Sequence, residues 1–146
     1  ALDAVEVLEP AAGAWSALPC LPAPRYGCAA AALDGKLFVA GGYGQASDVL
    51  ATLESLDLAS NTWTSHCGMP TPRAWCAMAV TGGAVYVCGG ERPSEGDLCG
   101  CLDEVVGAVE RYDPVGERWS VEAPLLMPRT RCAVVVAASD RAETGV

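Results

Sequence analysis

Residues 23–44, APRYGCAAAALDGKLFVAGGYG, hold two apolar runs on either side of an Asp34-Gly35 pair and close on the doublet Gly41-Gly42. Short apolar runs broken by Asp-Gly read as strand, tight turn, strand. The same order returns in residues 71–91, TPRAWCAMAVTGGAVYVCGGE, and its opening returns in residues 127–137, MPRTRCAVVVA. Each copy starts on Pro-Arg and sets a cysteine three residues after the arginine: Cys28, Cys76 and Cys132.

Other columns keep the same register. Trp15, Trp63 and Trp119 are 48 and 56 residues apart; Arg25, Arg73 and Arg129 follow them by ten, and Glu6, Glu54 and Glu110 precede them by nine. Gly41-Gly42 and Gly89-Gly90 are again 48 apart. A period near fifty residues marks a propeller or a related array, and it governs the fold.

The two intervals differ because Gly42 to Glu54 spans 12 residues and Gly90 to Glu110 spans 20. The excess is the loop ERPSEGDLCGCLDE, residues 91–104, and insertions settle in loops between strands. Each unit then divides into four strands, A to D. They fall at 27–33, 36–41, 53–58 and 62–66 in the first complete unit, and at 75–81, 84–89, 107–113 and 118–122 in the second. Strand A is rich in alanine and valine, and B ends at glycines that permit positive φ or close backbone approach. Strand D carries the tryptophan. Small residues inside and large ones outside make a wedge, which is the shape of a propeller blade.

Pro-Arg, two strands, Gly-Gly, a loop, a Val-Glu-x-Tyr-Asp-Pro segment and a tryptophan together resemble the kelch repeat. VERYDPVGERW at 109–119 is the nearest match, and the likeness runs over about residues 1–138. Leu8 and Leu56 stand where that pattern has Tyr112, and Glu91 stands where the earlier unit has Tyr43. The resemblance implies an all-β protein, a kelch-type β-propeller segment. It opens on a C–D pair (1–22, strands at 3–9 and 14–18), runs through two full blades (23–68 and 71–123) and reaches a further strand A (127–138). That makes about two and a half four-stranded antiparallel blades, with 139–146 as a tail or degenerate strand.

A propeller removes its edges by closing on itself, so the expectation is a segment of a longer protein. The alternative is a homodimer joined end to end, in which one copy's C–D pair completes the other's strand A.

Hydrophobic residues make up 51% of the chain, enough for a packed core. The net charge of −9, from 18 acids against 9 bases, argues against nucleic acid or an anionic membrane as partner. No apolar run nears the roughly 18 residues of a membrane span, and residues 1–10 lack the pattern of a signal peptide. Of eight cysteines, the three in phase with the repeat read as small buried filler. No Cys-x-x-Cys pair exists, His66 alone makes no multi-histidine metal site, and no cofactor is expected. Free thiols suit a reducing, cytoplasmic compartment. Cys99-Gly100-Cys101 reads as part of a solvated loop.

In a meander of four antiparallel strands the D–A crossovers and the B–C loops share one face. Arg25, Arg73 and Arg129 are therefore expected at the central mouth, beside loop 91–104. There they either grip a ligand or brace the blades through the glutamate column and backbone carbonyls; both readings stand at this level. Two residues on, the column holds Gly27, Trp75 and Arg131, which reads as a choice the fold does not dictate.

In kelch propellers of ubiquitin-ligase adaptors, arginines at both positions hold acidic peptide motifs. Arg129 and Arg131 match both positions, while Arg25 and Arg73 match only the first. The resemblance thus implies a protein-interaction module, with substrate recognition for a cullin-type ligase as its specific form. Tyr26 and Trp75 are candidate flat anchors, and Tyr43 and Glu91, after the glycine doublets, complete the candidate set. Against an acidic partner stand Glu91, Glu95, Asp97, Asp103 and Glu104 around one Arg92, which leave a basic or mixed partner open.

Some kelch-like propellers are copper oxidases or sugar isomerases, and others are actin-associated scaffolds. Copper chemistry of that kind needs tyrosine and at least two histidines, and this chain has one. His66 has no Asp or Ser at motif spacing and is given no catalytic role. The tryptophan column reads as blade packing.

Overall fold

The computed structural model describes residues 1–94 and 103–137, and within them the structure is all-β, with twelve strands. β1 (Val5–Glu9) pairs with β2 (Ala14–Leu18). β3 (Ala29–Leu33), β4 (Lys36–Ala40), β5 (Leu53–Asp57) and β6 (Thr62–Ser65) form a four-stranded antiparallel meander in that order. β7 (Ala77–Thr81), β8 (Ala84–Cys88), β11 (Val109–Asp113) and β12 (Arg118–Glu122) form a second. Between β8 and β11, β9 (Glu91–Pro93) and β10 (Asp103–Val105) pair as a short arm. The sequence reads 91–104 as one loop and does not foresee this arm.

Strand ends differ by a residue or two from those expected, and φ explains the shifts of the inner strands. β3 and β7 start late because Gly27 and Trp75 are left-handed (φ 64° and 52°), and β4 and β8 stop early where Gly41 and Gly89 turn the chain (φ 63° and 65°). The expected strand A at 130–137 does not form: residues 132–137 join no ladder. An innermost strand is held by its neighbouring B strand, as β4 holds β3. No described residue offers 132–137 that edge, and Val135 is 85% exposed.

The core lies between the meanders, where Phe38, Ala40, Leu53, Met69, Val85, Val87 and Tyr112 are buried together. Alanines in β3 and β7 let these two inner strands lie side by side. Each outer strand reaches back to the preceding unit. The Trp63 indole N–H donates to the Pro19 carbonyl (3.0 Å) and that of Trp119 to the Cys67 carbonyl (2.9 Å), each acceptor four residues past the previous tryptophan. These two tryptophans staple blade to blade.

The C–D turns are closed by aspartates. Asp57 Oδ1 accepts the N–H groups of Ala59 and Ser60, and Asp113 Oδ1 those of Val115 and Gly116. These bonds hold both carboxyls below the usual range.

Candidate functional site

Arg25 and Arg73 brace their blades from inside. Arg25 Nη2 lies 2.5 Å from Glu54 Oε2, while Nη1 donates to Thr52 Oγ1 (2.9 Å) and the Gly41 carbonyl (3.3 Å). Arg73 Nη2 lies 3.0 Å from Glu110 Oε2, and Nη1 donates to the carbonyls of Ala108 (2.8 Å) and Gly89 (3.0 Å). Both arginines are buried. The main chain of the same column faces the preceding unit: the Arg73 carbonyl accepts the Gly42 N–H (3.0 Å) and the Arg129 carbonyl that of Gly90 (2.7 Å). Arg73 therefore ties its own blade with its guanidinium and the previous blade with its carbonyl. The glycine doublets follow from this approach, because a Cβ on Gly41 or Gly89 would collide with those carbonyl oxygens.

Of the two readings left open by the sequence, bracing holds for Arg25 and Arg73, whose guanidinium groups are buried and paired within their own units. Arg129 is exposed and makes no ion pair among the described residues. It borders a separate cavity of about 290 Å³ with Cys88, Leu125 and Cys132.

The next column is constrained more tightly than expected. Gly27, Trp75 and Arg131 are all left-handed (φ 64°, 52° and 53°), so the fold favours glycine at all three positions. Trp75 and Arg131 hold a conformation that costs an L side chain about 1–2 kcal/mol. Backbone bonds fix it: the Trp75 N–H donates to the Gly27 carbonyl (2.7 Å) and the Arg131 N–H to the Trp75 carbonyl (2.9 Å), linking three successive units. The Trp75 indole lies over Gly27, where a Cβ would come within 3.0 Å of it, and the Arg131 guanidinium lies 5.0 Å from the indole centroid.

The residue after each Pro-Arg pairs with the residue after the Gly-Gly of its own unit. Tyr26 and Tyr43 exchange backbone hydrogen bonds (3.1 and 2.8 Å), as do Ala74 and Glu91 (2.9 and 2.8 Å). These pairings set D–A crossovers and B–C loops on one face, as the meander predicts. The Tyr26 and Tyr43 rings stack at 5.2 Å, and Tyr26 meets Trp75 at 6.2 Å and 62°. Glu91, buried, accepts from Thr130 Oγ1 (2.7 Å) and lies 3.5 Å from Arg131 Nη2. The Tyr43 hydroxyl donates to Asp103 Oδ1 (3.4 Å).

These groups border one cavity of about 410 Å³, together with Ser47 and Pro93. Tyr26, Tyr43, Trp75, Glu91 and Arg131 are thus brought together; Arg25, Arg73 and Arg129 are not part of it. The Tyr43 hydroxyl is pushed up to about 12, first by burial and then by the negative charges of Asp103 and Glu91. Sequence reasoning placed Asp103 only among the loop's acids; the β9–β10 pairing, which sets Asp103 opposite Pro93, brings it to the rim. Glu95, Asp97, Cys99 and Cys101 lie outside the described residues.

His66 sits near the opposite face, and its partners are spatial rather than sequential. Its Nε2 is 2.8 Å from Ser55 Oγ in β5, and its Nδ1 is 3.1 Å from the Tyr112 hydroxyl in the next blade. The ring also lies 5.8 Å from that of Phe38. Burial lowers its pKa, against a weaker upward push from Glu117. Ser55 is buried and unavailable to a substrate, so this constellation links blades. Burial also pushes the thiols of Cys28, Cys76 and Cys88 up, Cys76 to about 11. Among the described residues no group of histidine, cysteine and carboxylate side chains is arranged to hold a metal ion, and no helix is long and apolar enough to cross a membrane.

A family model described as the Kelch motif matches residues 24–65 and 72–126. A stretch of 53 residues is 47% identical to Kelch-like protein 33 of Homo sapiens, covering 36% of this chain and 10% of that protein. A solved structure described as "Structure of YjhT" is similar with a TM-score of 0.69 at 24% identity, over 82% of this chain and 34% of its own, a likeness of fold. The matches thus span only a minor part of either relative.

Proposed function

The chain belongs to the kelch-repeat family, and from that premise we propose that it is a non-catalytic protein-interaction module whose contact site is the cavity bordered by Tyr26, Tyr43, Trp75, Glu91, Asp103 and Arg131. One observation carries the reading. At two positions where the backbone favours glycine, the chain keeps a tryptophan and an arginine, and both border the same cavity. Sparsely populated backbone conformations cluster at functional sites, and here two of them carry large side chains that border one cavity. Tyr26, 41% exposed, gives that cavity a flat anchor open to a partner.

Substrate recognition for a cullin-type ubiquitin ligase is the specific form of this role, on the strength of the kelch resemblance. The described cysteines are free, which suits a reducing, cytoplasmic setting. An acidic motif as ligand loses Arg25 and Arg73, which are buried, and rests on Arg129 and Arg131, of which only Arg131 borders the cavity.

A photoreactive side chain in place of Tyr26 tests the site. It is expected to cross-link the partner, while the same group in place of Val115, on the far face, is not. Cross-linking only from position 115 would overturn the assignment.

A second reading concerns assembly. Glu6 and Arg129, the unburied members of their columns, make no ion pair among the described residues and are complementary in charge. Two copies joined end to end would unite them in the way Arg73 meets Glu110. Sedimentation of a monomer across a wide concentration range would rule this out.

A further inference from the structure

The charges around this cavity suit a ligand of the opposite sign to the one the arginine column suggested. We propose that it receives a cationic side chain, a lysine or arginine presented by the partner, against the rings of Tyr26, Tyr43 and Trp75 with Asp103 and Glu91 as counter-charges. The proposal rests on the reading of this cavity as the interaction site.

Three observations carry it. First, the guanidinium groups of Arg25 and Arg73 are buried and paired with Glu54 and Glu110, so neither can meet an incoming carboxylate. Second, the lining joins three π faces, whose quadrupoles attract cations, to two carboxylates. Third, a cation already rests there. Arg131 sits 5.0 Å from the Trp75 centroid and 3.5 Å from Glu91, on a side chain 66% exposed. Only the Arg131 end of this pair is exposed, and its contact with the buried Glu91 is long, so a cation from outside can take its place. A net charge of −9 favours the approach of such a partner.

Arg131 also makes the test decisive, because the two ligand classes predict opposite signs for its removal. The probes are capped five-residue peptides of glycine and serine with a central lysine, arginine or glutamate, titrated into the isotope-labelled chain by NMR. The lysine and arginine peptides are expected to shift the Trp75 indole and the Tyr26 and Tyr43 amides, and the glutamate peptide is not. Arg131→Ala is expected to tighten the basic peptides about threefold and the exposed Asp103→Asn to weaken them about threefold, the scale of one exposed charge contact. Glutamate-peptide binding that weakens in Arg131→Ala would overturn the cationic assignment while leaving the cavity as the interaction site. An equal response to lysine and glutamate peptides would also overturn it. If no peptide shifts the cavity residues, both the assignment and the site fall.

Discussion

The Arg73 guanidinium and the Glu110 carboxylate meet 3.0 Å apart with side-chain exposures of 0% and 1%. Thr71 Oγ1 donates to the other carboxylate oxygen at 2.6 Å, and the carbonyls of Gly89, Ala108 and Thr71 accept from the other two guanidinium nitrogens. A charge so placed cannot lose its partner cheaply. Arg73→Met strands Glu110 and is expected to cost about 3–5 kcal/mol, whereas Arg129→Met, at an exposed arginine of the same column, costs no more than about 0.5 kcal/mol. Urea unfolding of the two variants checks the contrast. Adding Glu110→Leu to Arg73→Met should recover part of the loss, because it removes the stranded charge.

The glycine doublets give a second contrast. Gly82 and Gly89 both have positive φ (56° and 65°), but a Cβ meets open space at Gly82 and the Arg129 carbonyl oxygen at Gly89. Gly82→Ala is expected to cost about 1 kcal/mol, from the left-handed backbone alone. Gly89→Ala adds a collision with main chain that cannot swing aside and is expected to cost about 3 kcal/mol. Equal losses in urea midpoints would sever the glycine from the inter-unit contact.

Much of this was legible in the repeat. The columns of Trp63, Arg73, Glu110 and Gly89 fixed the strands, and the meander rule fixed which loops share a face. Arg73 was less legible, since a column of arginines looks alike whether it braces or binds. Burial decides that, and burial depends on the glutamate lying within reach across the blade. The position of Trp75 was misread as free because φ is invisible in a residue type; Gly27 in the same column was the available sign. The partners of His66 and the rim position of Asp103 depend on contacts between units and on the β9–β10 arm, which no local pattern encodes.

Trp75→Gly separates site from scaffold. Glycine relieves a backbone cost of about 1–2 kcal/mol, which offsets part of the ring contacts that are lost with the indole. Unfolding stability is expected to change by less than about 1 kcal/mol while cross-linking from position 26 to the partner is abolished. Trp119→Phe should do the reverse. It breaks the 2.9 Å bond to the Cys67 carbonyl, lowers stability by about 1 kcal/mol and leaves partner capture intact.

His66 makes stability depend on pH in a defined window. Its folded pKa lies below the ordinary 6.5, chiefly because burial disfavours the imidazolium between Ser55 and Tyr112. The unfolded chain therefore takes up this proton first on acidification. Above 6.5 both states are neutral at this residue and it adds no slope; below it, stability declines until the pH passes the folded pKa. Asp57 and Asp113 also have lowered values, from an ordinary 3.8, so their contributions fade only at more acidic pH. Urea midpoints at about pH 7.5, 6.5 and 5.5 should accordingly fall in the native sequence. His66→Gln keeps a polar group between the blades but cannot titrate, so its midpoints should be lower at pH 7.5 and flatter across the series. A slope unchanged by the substitution would assign the acid sensitivity to another group.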